Sequence, residues 1–159
     1  MNHSSTQKIT FGGVIAALYV VLTVVANAFG LASGAIQVRI SEALTILPVF
    51  TTAAIPGLTV GCVLANLITG CAPWDVVFGS MATLIGAVGT RMLRKKPLLA
   101  WIPPVIANMA IVPIVLQKVY GVPDAWWYLV LTVGAGEVIS CGILGLLLYH
   151  SVKNIPQLR

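Results

Sequence analysis

Glu137 lies eleven residues beyond Trp126, the first of the aromatic trio Trp126-Trp127-Tyr128, in an otherwise apolar run. At about 1.5 Å per helical residue that is roughly 16 Å beneath the surface such aromatics mark, close to the midplane of a bilayer. A carboxylic acid there is expensive and marks a pathway or a binding site. The plainer alternative is a protonated acid hydrogen-bonded between helices, helped by the small neighbours Gly134 and Gly136. Arg39 and Glu42 are three residues apart and share one helical face, as an ion pair or as two walls of a pocket. Asp75 follows Pro73-Trp74 at a helix start, where capping is the common role of an acid, and Trp74 or Trp126 offers a flat ring for stacking. Asn66 and Asn108 each carry donors and acceptors, equipment for the edge of a neutral heterocycle or for bonding helices together. With Gln117, these residues fall in the outer half or at the midplane of the predicted helices. Their chemistry is recognition in a cup that opens to one side.

The elements that position them are membrane helices. Of 159 residues 58% are hydrophobic and 8% charged, too little polar surface for a soluble domain. The apolar runs approach the roughly 20 residues of a helical crossing, and no alternating barrel-type segments occur. We read an all-α fold: one integral membrane domain over 1–159, a six-transmembrane-helix bundle with helices at about 9–29, 38–53, 56–70, 75–93, 98–117 and 126–150. The first run is too long for a signal-peptide core and is read as retained. Pro56-Gly57 breaks the second helix from the third. The second is short for a crossing, and Pro103, Pro104 and Pro113 predict a kinked fifth helix. The outer loop from Gly30 to Gln37, with two glycines besides Ser33 and no charge, reads as a mobile lid.

Charge orients the bundle. Lys8, Arg91, Arg94, Lys95, Lys96, Lys153 and Arg159 fall on the side of the termini, whereas Arg39 and Lys118 fall on the other, which places both termini in the cytoplasm. The formal charge of +5 sits at helix ends, so no nucleic-acid partner is expected. Cys62, Cys71 and Cys141 have no paired spacing and read as packing residues, with no metal site. Gly12-xxx-Ala16 and Gly13-xxx-Ala17 on the first helix let another helix approach closely, inside the bundle or on a partner subunit. Phosphate-loop, serine-hydrolase and zinc-protease signatures are absent, so the energy for any transport comes from elsewhere.

Four motifs in order carry a family resemblance: Val38-Arg-Ile-Ser-Glu-Ala-Leu-Thr-Ile-Leu-Pro48, Ala54-Ile-Pro-Gly57, Gly61-Cys-Val-Leu-Ala-Asn66 and Asp75-Val-Val-Phe-Gly-Ser80. The chain resembles the QueT family, substrate-binding S components of energy-coupling factor (ECF) transporters associated with queuosine precursors. The resemblance implies capture of a 7-deazaguanine such as preQ1 or preQ0 from outside. It also implies docking through the first helix on a membrane coupling subunit driven by two ATPase subunits, with ATP used by those partners and no cofactor in this chain. S components typically carry an AxxxA pattern there. Here Gly12-Gly-Val-Ile-Ala16, or its neighbour ending at Ala17, stands in its place with glycine first. For such a ligand, Glu137 and Glu42 would supply acids, Asn66 and Asn108 would meet carbonyl and ring nitrogens, and Trp74 or Trp126 would form a wall. Three alternatives stand beside this reading. One is an S component for another vitamin-like substrate, and another is a self-sufficient carrier with Glu137 as its proton site. The third is an intramembrane enzyme pairing Asp75 with Glu137 or Glu42, for which no nucleophile or metal constellation is present.

Overall fold

A computed structural model describes residues 5–31 and 36–155. Within them the chain is all-helical. In chain order it forms α1 (Ser5–Ala28), a 3-10 helix (Ile40–Val49), α2 (Ala54–Ile68), α3 (Pro73–Met92), α4 (Ile102–Lys118) after a short 3-10 turn (Pro97–Leu99), and α5 (Trp126–Glu137). A π-helical stretch (Val138–Leu144) then joins α5 to α6 (Gly145–Val152). Three rods are long and apolar enough to cross a bilayer, Ser5–Ala28, Pro97–Lys118 and Trp126–Val152; Ile40–Val49 and Ala54–Ile68 are shorter apolar helices. α1 packs on α2, α2 on α3, α3 on α4 and α4 on α5, and the 3-10 helix touches α1, α3, α6 and the π stretch.

The second helix corrects the sequence reading. It is not an α-helix from 38 to 53. It is ten residues of 3-10 helix, about 20 Å at 2.0 Å per residue, buried continuously from Ser41 to Pro48. Three residues per turn eclipse its side chains in columns. Leu44 and Leu47 join the core with Ile15, Tyr19, Leu58 and Cys62. Gly145 lies beside the Ala43 carbonyl and Ile46. Glu42 and Thr45 form the third column, where the Thr45 hydroxyl donates to the Glu42 carbonyl at 2.6 Å. At the far end Arg91 Nη1 donates to the carbonyls of Pro48 (3.0 Å) and Val49 (3.1 Å), satisfying acceptors the helix leaves open.

Two of the three prolines of the fifth segment, Pro103 and Pro104, lie at its helical start. They fall in the first turn of α4, where missing amide donors are harmless, and Pro113 alone lies inside the helix. Glycines end the outer turns. Gly30 (φ 72°) follows α1 and Gly70 (φ 75°) follows α2, with Leu31 N–H donating to Ala26 and Cys71 N–H to Asn66, the 6→1 bond of a left-handed helix stop. Of the expected lid, residues 32–35 lie outside the described residues. Its base is closed by Val38 N–H donating to the Leu31 carbonyl at 3.1 Å.

Candidate ligand site at one end of the bundle

The glycine turns bring α1, α2, α3 and the segment before the 3-10 helix around a cavity of about 460 Å³, within the roughly 300–1,000 Å³ usual for small-molecule sites. Its wall carries Thr23, Asn27, Gln37, Arg39, Ser41, Thr69, Cys71, Asp75 and Tyr120. Of the residues singled out from sequence, Arg39 and Asp75 therefore reach the cavity itself. Arg39 Nη2 donates to Asn66 Oδ1 at 3.0 Å, which ties the segment before the 3-10 helix to α2. Asp75 lies in the first turn of α3 but is not its cap. Ala72 occupies that position, and Asp75 Oδ2 instead accepts from the Tyr120 hydroxyl at 2.8 Å. The same Tyr120 oxygen accepts the Ala72 N–H at 3.1 Å, so one exposed phenol bridges the two outer loops. Partial burial is the main reason its hydroxyl is pushed up to about 12; the Ala72 amide opposes the rise and the Asp75 carboxylate adds to it.

A second layer lies deeper. Glu42, Asn66, Asn108 and Glu137 are all buried. Tyr19 on α1 donates its hydroxyl to Glu42 Oε1, and Cys141 on the π stretch donates to Glu137 Oε2 at 3.3 Å. Glu42, Glu137 and Cys141 present donor atoms within 4.8 Å of one another. A cation could be shared at that spacing. In this structure, however, neutral O–H and S–H donors already point at the two carboxyls, an arrangement for hydrogen bonding. Glu42 Oε2 has no hydrogen-bond partner. Asn108 Nδ2 is turned toward Glu137 without completing a bond. The structure thus brings Arg39 to Asn66 and Glu42 to Glu137, with Asn108 beside the latter.

Other candidates are placed elsewhere. Trp74 stacks on Phe78 with ring centroids 6.0 Å apart, and both Trp74 and Trp126 face outward, off the cavity wall. Gln117 donates to the Asp124 carbonyl at 2.9 Å and holds the turn after α4. On α1 the two small-residue pairs separate. Gly12 and Ala16 face inward: a Cβ on Gly57 would lie 2.6 Å from the Gly12 carbonyl oxygen, and one on Gly61 would lie 3.0 Å from Ala16 Cα. Gly13 and Ala17 are exposed, and nothing lies within 4 Å of a Cβ on Gly13. A shallow apolar groove of about 520 Å³ runs between α1 and α2 beside them, at the end carrying Lys8.

Residues 9–154 match the family described as QueT transporter. The chain belongs to that family. As a QueT-family chain it is a membrane protein of a transporter family, in line with its long apolar rods. One curated relative is the queuosine precursor transporter QueT of Lactococcus lactis subsp. cremoris (strain MG1363), 35% identical over 86 residues. The aligned stretch covers 54% of this chain and 50% of that relative, so the chain spans about half the length of the curated relative it matches. No solved structure matches the chain significantly.

For this QueT-family site, sequence reasoning missed Tyr19, Thr23, Ser41, Tyr120 and Cys141. Tyr19 had a readable signal, a lone phenol midway along an apolar helix, which needs a partner once buried. Cys141 had one too, four residues after Glu137 and so on the same face. All three cysteines are free, with Cys62 and Cys141 buried as packing residues would be, but Cys141 also orients the central acid.

Proposed function

We propose that the protein is the substrate-binding S component of an ECF-type transporter and captures a queuosine precursor, a 7-deazaguanine such as preQ1 or preQ0, from outside the cell. The observation that carries this reading is the separation of two surfaces. A polar cavity with Arg39 on its wall, bonded to the buried Asn66, opens at one end, and Glu42 and Glu137 are buried together nearby. An apolar groove flanked by exposed Gly13 and Ala17 lies toward the end that holds Lys8. The first suits a flat heterocycle with donors along one edge, which a carboxylate accepts in pairs. The second suits close approach by a helix of the membrane coupling subunit, with two ATPase subunits beyond it. The basic end faces the cytoplasm under the positive-inside rule, and both termini with it. Gly13 and Ala17, rather than Gly12 and Ala16, then form the docking face. The test is a thermal-shift screen of the purified protein. A 7-deazaguanine raises Tm and riboflavin, thiamin and biotin do not; a shift with one of those vitamins alone assigns another specificity. Uptake in proteoliposomes requires the coupling subunit and ATPases, and transport by this chain alone would identify a self-sufficient carrier.

A further inference from the structure

Beneath the cavity, acid outweighs base. Glu42 and Glu137 are buried, with carboxylate oxygens within 4.8 Å of each other and of the Cys141 thiol. The groups that face them are Tyr19 from α1, Asn108 from α4, Cys141 from the π stretch, and Arg39 at the cavity wall. Arg39 is the cation that acts on both acids. The one hydrogen bond of its guanidinium among the described residues runs to Asn66, not to either carboxylate. One guanidinium balances one carboxylate, so the pair, when both members are ionised, takes a second positive charge. An independent observation points the same way: Glu42 Oε2 is fully buried without a donor, a state native proteins rarely leave unanswered.

We infer that the Glu42/Glu137 pair receives a positively charged group of the ligand, and that Arg39, held on Asn66 at the cavity wall, weakens the preference for that charge by its own positive charge. This rests on the reading of the ligand as a 7-deazaguanine. Within that class the 7-aminomethyl compound carries an ammonium with three donors. The 7-cyano compound has the same ring system, but its substituent is uncharged and only accepts. An ammonium at the pair supplies the donor that Glu42 Oε2 lacks and forms charge-assisted bonds in a dry site. A nitrile turned to the same place sets lone pairs against carboxylates.

The test is calorimetric titration of the purified full chain with 7-aminomethyl-7-deazaguanine and with 7-cyano-7-deazaguanine. The aminomethyl compound binds at least about tenfold more tightly, about 1.4 kcal/mol. Glu42→Gln moves the ratio of the two affinities toward one. Arg39→Gln widens it, because the competing positive charge is gone. Equal affinities, or tighter binding of the cyano compound, overturn the inference and leave the deazaguanine reading standing; binding of neither removes both. If Glu42→Gln is not monodisperse, Arg39→Gln decides, and an unchanged or narrower ratio overturns the role given to Arg39.

Discussion

Replacing Gly136 with alanine tests how the site is assembled. Gly136 sits on α5 directly before Glu137, and a Cβ there would lie 2.1 Å from the Gln37 carbonyl oxygen and 3.0 Å from its carbon. Ordinary contact begins at 3.4 Å, so the Gln37 backbone, two residues before Arg39, must retreat by about 1.3 Å. Overpacking of this kind costs about 1–3 kcal/mol. At about 2–4 °C per kcal/mol for a chain of this size, Tm falls by roughly 2–12 °C. The same shift moves Arg39 and Glu42 away from Glu137. Misplacing one charge-assisted hydrogen bond loses about 1.5–3 kcal/mol, or roughly 10- to 150-fold in affinity. Two matched substitutions serve as controls. At Gly134 a new Cβ meets Met109 Sδ at 2.9 Å, the flexible end of a side chain that can turn aside, and at Gly13 it meets nothing within 4 Å. Melting and ligand titration of the three alanine variants in detergent should rank Gly136 well below Gly134, and Gly134 below Gly13. Wild-type melting and affinity for Gly136→Ala, or a larger loss for Gly134→Ala, would refute this account of the close approach.

Four further outcomes are expected. Glu137→Gln weakens ligand binding at least tenfold, since it keeps the volume but sets an amide donor where donors already point; unchanged affinity in a folded protein makes Glu137 structural. Gly57→Ala lowers Tm by several degrees because its new methyl group meets the Gly12 backbone, a wall that cannot rotate away. Gly13→Trp abolishes uptake in the assembled transporter while the isolated protein still binds ligand, and parallel loss of both would assign Gly13 to internal packing. The Tyr120 phenol, ordinarily near 10, titrates at about 12 in the fold. The stability it adds is fully present below about pH 10 and is lost as pH rises through 12, because ionisation ends donation to Asp75. In an absorbance titration Tyr120→Phe removes one high-pH phenol, and loss only of a phenol titrating near 10 would contradict the bridge.

Much of this molecule follows from local properties of the chain. Hydrophobic run length and the stop at Arg94-Lys-Lys-Pro97 determine that the chain is helical and lives in a membrane, because each depends on residues adjacent in sequence; Pro56-Gly57, read as a breaker, lies instead in the first turn of α2. The polar set was legible for the same reason. Glu42, Asn66, Asn108 and Glu137 stand out against apolar neighbours, and burial confirms that they are interior. The Arg39/Glu42 same-face reading does not survive, because Arg39 is the extended residue before the 3-10 helix and its guanidinium turns to Asn66.

Tertiary contacts decided the rest. Ten residues became a 3-10 helix because packing on α1, α3, α6 and the π stretch, with Arg91 on its last carbonyls, selects between two helical forms whose local signals are nearly alike. Only that packing pairs Tyr19 with Glu42, 23 residues away. The rotation of α1 is another such decision. Apolar residues surround this helix, leaving hydrophobicity unable to say which of two adjacent small-residue pairs turns inward. Gly57 and Gly61 on α2 settle it, because their missing side chains admit the backbone at Gly12 and Ala16 and leave Gly13 and Ala17 outside.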